Sequence, residues 1–220
     1  MKSQQPMVFL VDDEASILKL VGSRLRAAGF TVMQFGAAAE FLSIYRPSMP
    51  GCLVLDMEMP EFNGLDVQQQ LAALGSEIPI IFFSGRSDVP MCVQAMKSGA
   101  VDFLTKSAHH TDLVTAIHKA LEHDFKARQQ RAETDEIRSR IASLTPRERT
   151  VLSHLITGKL NKQIAGDLGT AEKTIKVHRG RVMAKMKVVS VAALVRLVEK
   201  SGATFPSDSP GDPDSSGISG

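Results

Sequence analysis

The sequence predicts an α/β domain followed by a smaller all-α one: a doubly wound, five-stranded parallel sheet of order 2-1-3-4-5, then four short helices. Three observations carry this. In the first half, short apolar runs alternate with segments of helical period, the pattern of strands buried on both faces. Glycines, Gly29 and Gly99 among them, fall where those helices should stop. The balance of charge then reverses: residues 1–122 hold nine Lys/Arg against thirteen Asp/Glu, whereas residues 144–200 hold twelve against four.

Taken in order, the spacing predicts strand 7–11, helix 14–28, strand 31–35, helix 37–44, strand 52–55, helix 64–74, strand 80–83, helix 89–98, strand 102–105 and a helix from 111 onward. Four of the apolar runs stop at residues capable of chemistry. Met7–Val11 stops at Asp12-Asp13, Cys52–Leu55 at Asp56, Ile80–Phe83 at Ser84, and Phe103-Leu104, one residue further on, at Lys106. Ligands of doubly wound sheets collect beyond the carboxyl ends of the strands. Order 2-1-3-4-5 sets those four ends side by side and leaves the second strand, which has no such residue, at the edge. Three carboxylates, a hydroxyl and an amine are therefore expected to converge.

Residues 123–143 read as a linker. Lys126 to Arg140 has eight charged residues among fifteen and Ile137 as its one large apolar group, which fits a solvated helix continuing from the segment before it. A coiled-coil seam is disfavoured, since no heptad recurs. The second domain spans 144–201. Thr145-Pro146-Arg147-Glu148 offers an N-cap, a proline at N1 and a Glu at N3, opening a helix that Gly158 ends. Asn161–Leu168 is a second helix and Gly169 a turn. A third runs from Ala171 to Met186 with Ile175, Val182 and Met186 inward, and a fourth, Val191–Glu199, repeats apolar residues at 191, 194, 195 and 198. A short helix, a glycine turn and a basic helix form the helix-turn-helix arrangement, whose second helix enters the DNA major groove. Residues 202–220, rich in Ser, Pro, Gly and Asp, are expected to be a disordered tail.

Composition excludes other classes. With 220 residues and 43% hydrophobic content the chain can bury two cores. No apolar stretch approaches a membrane span and residues 1–6 lack a secretory hydrophobic region, so a cytoplasmic protein without a membrane partner is expected. Cys52 and Cys92 read as reduced packing residues, with a regulatory thiol the lesser alternative. The histidines show no metal-ligand spacing; His109 and His110 read as solvated residues at a helix start.

The ordered set Val11-Asp12-Asp13-Glu14, Asp56-Met57-Glu58-Met59-Pro60 with Gly64 following, Ser84-Gly85 and Lys106 resembles the receiver domain of two-component response regulators over residues 6–122. Singly, any of these aspartates could be a helix cap or turn residue, Ser84 a local turn hydrogen bond and Lys106 a surface ion pair. The combination is what resembles the family. It implies Mg²⁺ held by Asp12, Asp13, Asp56 and the backbone carbonyl of Glu58, and crowded carboxylates do call for a hard divalent cation. Asp56 is then the phosphoacceptor, its carboxylate attacking phosphorus while Lys106 neutralises charge on the phosphoryl oxygens. Ser84 would follow the new phosphate, and Phe103 stands at the aromatic position that swings inward on activation. Family members usually carry Pro after the lysine, in a cis bond; here Ser107 follows, so either a strained cis bond or a trans bond with Lys106 re-aimed is expected.

Leu144-Thr145-Pro146-Arg147-Glu148-Arg149, Asn161-Lys162-Gln163-Ile164-Ala165 and Lys173-Thr174-Ile175-Lys176-Val177-His178 resemble the LuxR-type DNA-binding domain. Joined to a receiver they resemble the NarL/FixJ class of transcription factors, and Val182-Met183-Ala184-Lys185-Met186 favours its FixJ-like branch. The resemblance implies that Lys176 and Val177 meet base edges, with Gly180 beside them, and that Lys173, Thr174 and Arg179 hold phosphates. His178 packs or caps. Ala171 stands where family members often have Ser, which weakens the cap unless Thr170 replaces it. The implied partners are a sensor histidine kinase, double-stranded promoter DNA, a second copy of the chain on phosphorylation, and RNA polymerase. The function implied is a phosphorylation-switched transcription regulator and not an enzyme. Two alternatives stand beside it: a metabolite phosphatase using the acid cluster, and a constitutive DNA binder with a vestigial receiver.

Overall fold

The structure is a computed structural model, and it describes residues 5–60, 62–85 and 89–205. Contacts divide the chain into two units, the boundary falling after Gln129. In the first, five parallel strands, β1 (Met7–Val11), β2 (Thr31–Phe35), β3 (Gly51–Leu55), β4 (Ile80–Ser84) and β5 (Asp102–Thr105), lie in the order β2-β1-β3-β4-β5. The expected order and strands hold to within a residue. Helices α1 (Ala15–Ala27), α2 (Ala38–Ile44), α3 (Gly64–Ala73) and α4 (Val89–Lys97) connect them, and α5 (His110–Ala142) follows β5.

The period of two in the strands sorts the core onto both faces of the sheet. Phe9 and Val11, Leu53 and Leu55, Ile80 and Phe82 bury one cluster with Val67 and Leu71 of α3. Val8 and Leu10, Cys52 and Val54, Ile81 and Phe83 bury the other with Leu25 of α1 and Ile117 of α5. Two glycines permit close approach. At Gly51, φ is 151° and an added Cβ would run into the Met7 carbonyl. At Gly64 a Cβ would stand 2.8 Å from the carbonyl oxygen of Asp56 and 2.7 Å from the Phe82 ring, so glycine lets α3 start tight against the end of β3.

The second unit holds the last residues of α5, then α6 (Pro146–Ile156), α7 (Asn161–Asp167), α8 (Glu172–Met186) and α9 (Val191–Ser201). Its core gathers Ile137, Leu152, Leu155, Ile164, Ile175, Val182, Met186, Leu194 and Val198. The capping box forms: the Glu148 amide donates to Thr145 Oγ1 at 3.3 Å, and Thr145 N–H donates to Glu148 Oε2 at 2.9 Å. Gly169, at φ 58°, makes the turn between α7 and α8.

Three expectations are amended. The linker is helical, as expected, but not simply solvated: Ile137 is buried, Arg138 donates to the Ser201 carbonyl, and Arg140 to that of Met186. The third helix of this unit starts at Glu172, with Ala171 as an N-cap that makes no side-chain hydrogen bond, so Thr170 does not take over as the capping residue. The tail was expected to begin at Gly202, yet Ala203 and Phe205 pack against the core; the rest of it, 206–220, lies outside the described residues.

Candidate functional site

Beyond the carboxyl ends of β1 and β3, Asp12, Asp13 and Asp56 bring carboxylate oxygens within 4.8 Å of one another. Asp12 and Asp56 are buried and Asp13 is exposed. Lys106, just past β5, reaches in from the far side of the crevice. Its Nζ lies 2.8 Å from Asp12 Oδ2, 3.0 Å from Asp56 Oδ2 and 2.9 Å from Glu14 Oε1. Adjacent amides steer the carboxylates. Glu14 N–H donates to Asp12 Oδ1 at 2.9 Å, and Glu58 N–H to Asp56 Oδ1 at 3.3 Å.

Electrostatics at this end are unbalanced. Burial pushes the Asp12 carboxyl above its ordinary range and Asp56 adds to the push, while hydrogen bonds from Lys106 and the Glu14 amide oppose it. Burial also works against charge on Lys106, but its bonds to Asp12, Glu14 and Asp56 outweigh that and raise its pKa. Three carboxylates thus share one ammonium, with Asp13 a further acid beside them. The donor set is hard oxygen throughout, which suits Mg²⁺.

Ser84 ends β4, fully buried, and its carbonyl accepts the Lys106 amide at 2.7 Å, so serine and lysine are held by one backbone bond. Phe103 on β5 is half-buried, its ring centroid 6.2 Å from that of Phe82. The Lys106–Ser107 peptide is trans, and the lysine nonetheless reaches both buried aspartates.

The second unit presents a separate surface. Lys173, Thr174, Lys176, Val177 and Gly180 are exposed on α8, opposite the buried Ile175 and Val182. No atom would lie within 4 Å of a Cβ at Gly180. Arg179 is half-buried and donates to Asn161 Oδ1 at 3.1 Å, tying α8 to α7. His178 is half-buried, with Val151 and Ile175 lining the same small cleft. At the other end of α8, Lys185 Nζ sits 2.6 Å from Glu148 Oε2 and so fastens the helix to α6. The hydrogen bond from that lysine, helped by the Thr145 amide, holds the Glu148 carboxyl down to about 2.

Known proteins share both halves. Residues 8–118 match the response regulator receiver domain, and residues 142–198 match the luxR family of bacterial regulatory proteins. Response regulator protein TmoT of Ectopseudomonas mendocina is 44% identical over 200 residues, 91% of each chain. The chain belongs to the NarL/FixJ family of response regulators. Transcriptional regulatory protein FixJ of Rhizobium meliloti is 40% identical over 195 residues, covering 89% of this chain and 96% of that one. Among solved structures, response regulator StyR aligns with a TM-score of 0.83 at 47% identity, over 89% of this chain and 99% of that one.

As a response regulator with a LuxR-type domain, the chain is a transcription factor controlled by phosphorylation rather than an enzyme, and it has a kinase and DNA as partners. Among the described residues, no helix is long and apolar enough to cross a membrane. The structure brings Asp12, Asp13, Asp56 and Lys106 of this regulator together, with Ser84 tied to the lysine through its backbone. It also adds Glu14 to the lysine's partners. Glu14 stands in the Val11-Asp12-Asp13-Glu14 run of the receiver resemblance, but nothing in that run assigns it to the lysine.

Proposed function

We propose that Asp56 is the phosphoacceptor. A carboxylate oxygen of Asp56 attacks the phosphorus of a kinase phosphohistidine. The P–O bond forms, the P–N bond breaks, and imidazole leaves. Asp12, Asp13, Asp56 and the Glu58 carbonyl would hold Mg²⁺, which when bound supplies positive charge toward the phosphoryl oxygens. Lys106 donates to one of those oxygens, and the Ser84 hydroxyl donates to another as Phe103 turns inward. The observation that carries this reading is the single ammonium shared by two buried aspartates, a site with more negative charge than its own residues neutralise.

Residues 1–122 act as the receiver, 123–143 as the helical linker and 144–201 as the DNA-binding domain, in the cytoplasm. Phosphorylation promotes homodimerisation through the α4–β5 face, on which Val89, Val93 and Met96 are exposed at helical spacing along α4. Two copies then set paired α8 helices into adjacent major grooves. Lys176 and Val177 meet bases, Gly180 lets the backbone approach, and Lys173, Thr174 and Arg179 hold phosphates. The promoter-bound dimer is positioned to meet RNA polymerase.

Phosphorylation with acetyl phosphate and Mg²⁺ tests the scheme. Mass spectrometry should find an acyl-phosphate adduct at Asp56 that Asp56→Asn abolishes, and promoter affinity should rise only for the phosphorylated wild type. Equal affinity for treated wild type and variant would instead identify a constitutive DNA binder.

A further inference from the structure

We propose that Glu14 is a positioning residue for phosphoryl transfer, tethering the Lys106 ammonium so that its other hydrogens are aimed at Asp56 and the arriving phosphoryl group. The inference rests on Asp56 being the phosphoacceptor and adds a residue to that reaction.

An ammonium has three hydrogens, and Lys106 meets three carboxylates, at 2.8, 2.9 and 3.0 Å. Two of these acceptors, Asp12 and Asp56, belong to the acid cluster; Glu14 does not. During transfer, the Asp56 acceptor is consumed and the lysine must turn toward a phosphoryl oxygen. Glu14 is the partner left unaltered by the reaction. A lysine side chain is flexible and carries a high rotamer entropy, so an anchor that survives the step keeps Nζ within reach.

The local backbone fits this assignment. Glu14 occupies the N-cap position of α1, with extended dihedrals, but its side chain makes no capping bond. Its carboxylate is spent on Lys106 instead, while its amide is fixed by Asp12 Oδ1. Asp12, Glu14 and Lys106 therefore close a ring of contacts. Because Glu14 does not cap α1 through its side chain, replacing it leaves the capping bonds of that helix untouched.

The experiment compares Glu14→Gln and Glu14→Ala in the full chain, measuring phosphorylation rate against acetyl phosphate concentration with Mg²⁺ present. Glutamine retains an acceptor oxygen and loses the charge; alanine loses both. Glu14 is about half exposed, so the tether is modest, and alanine is expected to lower the saturated rate about five-fold with little change in half-saturation. Glutamine should recover most of that loss. An alanine variant as fast as wild type, or faster because an anion has been removed from the donor's path, would overturn the proposal. So would a glutamine variant as slow as alanine, since charge rather than the hydrogen bond would then be responsible. The ¹⁵N–¹H signal of the Lys106 ammonium reads the tether without phosphorylation: slow hydrogen exchange should persist in Glu14→Gln and be lost in Glu14→Ala. If the wild type accepts no phosphoryl group while that signal behaves as expected, the Asp56 assignment has failed and Glu14's role in transfer with it. If the wild type is labelled and the signal ignores both substitutions, Glu14 alone has failed.

Discussion

The strand β3 has an ion network at each end, and the two are built on opposite principles. Past its last residue, Lys106 serves Asp12, Asp56 and Glu14, with Asp13 alongside. At its first residue, the Gly51 amide donates to Asp124 Oδ2 at 2.9 Å, and Asp124 accepts Arg128 Nε at 2.8 Å. Arg128 also donates to the carbonyls of Pro47, Ser48 and Met49. One cation there meets one buried anion, and the remaining donors are taken up by backbone oxygens. The balanced network is finished, and its job is to hold α5 against the loop before β3. In the unbalanced one the carboxylates outnumber the single ammonium. Charge bookkeeping within each cluster, more than burial, separates architecture from chemistry.

Neutralising one charge at each end should have opposite effects. Arg128→Met leaves the Asp124 carboxylate buried without its counter-ion, and removing one partner of such a pair typically costs about 3–5 kcal/mol. Arg128 is itself about a quarter exposed, so we expect a loss near about 3 kcal/mol by urea denaturation of the full chain. Asp56→Asn, without Mg²⁺, should cost nothing and stabilise slightly, since it removes one of several crowded anions. Equal destabilisation by both variants would show that the two clusters do not differ in kind.

This difference also decides what was legible in the sequence. Strand ends are fixed by apolar runs and by the order of the sheet, so the convergence of Asp12, Asp56 and Lys106 could be read from where each run stops. The Asp124–Arg128 clamp could not. An Asp and an Arg four apart on a charged helix look like a solvated pair, and only the tertiary fold shows that Arg128 faces three carbonyls from residues 47–49. The same blindness applies to Arg138 and Arg140, which satisfy carbonyls at the ends of α9 and α8. Periodicity did better in the second unit, where Ile175, Val182 and Met186 are inward as spaced. It could not say that Leu194 and Val198 are taken by the unit's own core, leaving the half-buried Val191 and Val195 as what remains of that stripe for any partner.

A contrast of intermediate size lies in pH. Glu148 has its folded pKa lowered to about 2 from an ordinary 4.5, chiefly by Lys185. Its contribution is therefore complete above about pH 4.5 and is lost as pH falls from there toward 2, because the unfolded chain takes up the proton first. Asp12 has the opposite sign: its folded pKa is raised, so its ionised form costs stability at neutral pH and protonation on acidification relieves that cost. The melting temperature of Glu148→Gln should lie a few degrees below wild type at pH 7, and the gap should close as pH drops below 4.5. For Asp12→Asn the variant should be the more stable at neutral pH without Mg²⁺, with its advantage shrinking on acidification. A Glu148→Gln gap independent of pH would remove the ion pair to Lys185 from the account.

The smallest effect concerns Gly180, and it separates folding from function most cleanly. Glycine within a helix is less stable than alanine by roughly 0.5–1 kcal/mol. At Gly180 nothing in the protein needs the missing side chain: φ is not positive, and an added Cβ would meet open space. Gly180→Ala should therefore raise stability by about 0.5–1 kcal/mol in thermal or urea unfolding. If α8 lies in the major groove with Lys176 and Val177 at the bases, the new methyl projects at the same exposed face one turn on, where DNA approaches. Promoter affinity should then fall while the protein melts higher, and affinity for unrelated duplex at the same salt should change less. A gain in stability with unaltered promoter affinity would place Gly180 outside the interface and shift the reading face of α8 toward Lys173 and Lys176. An exposed glycine where alanine would fold better is a cost that packing within this unit does not explain, and the paired stability and affinity measurements show whether approach of DNA does.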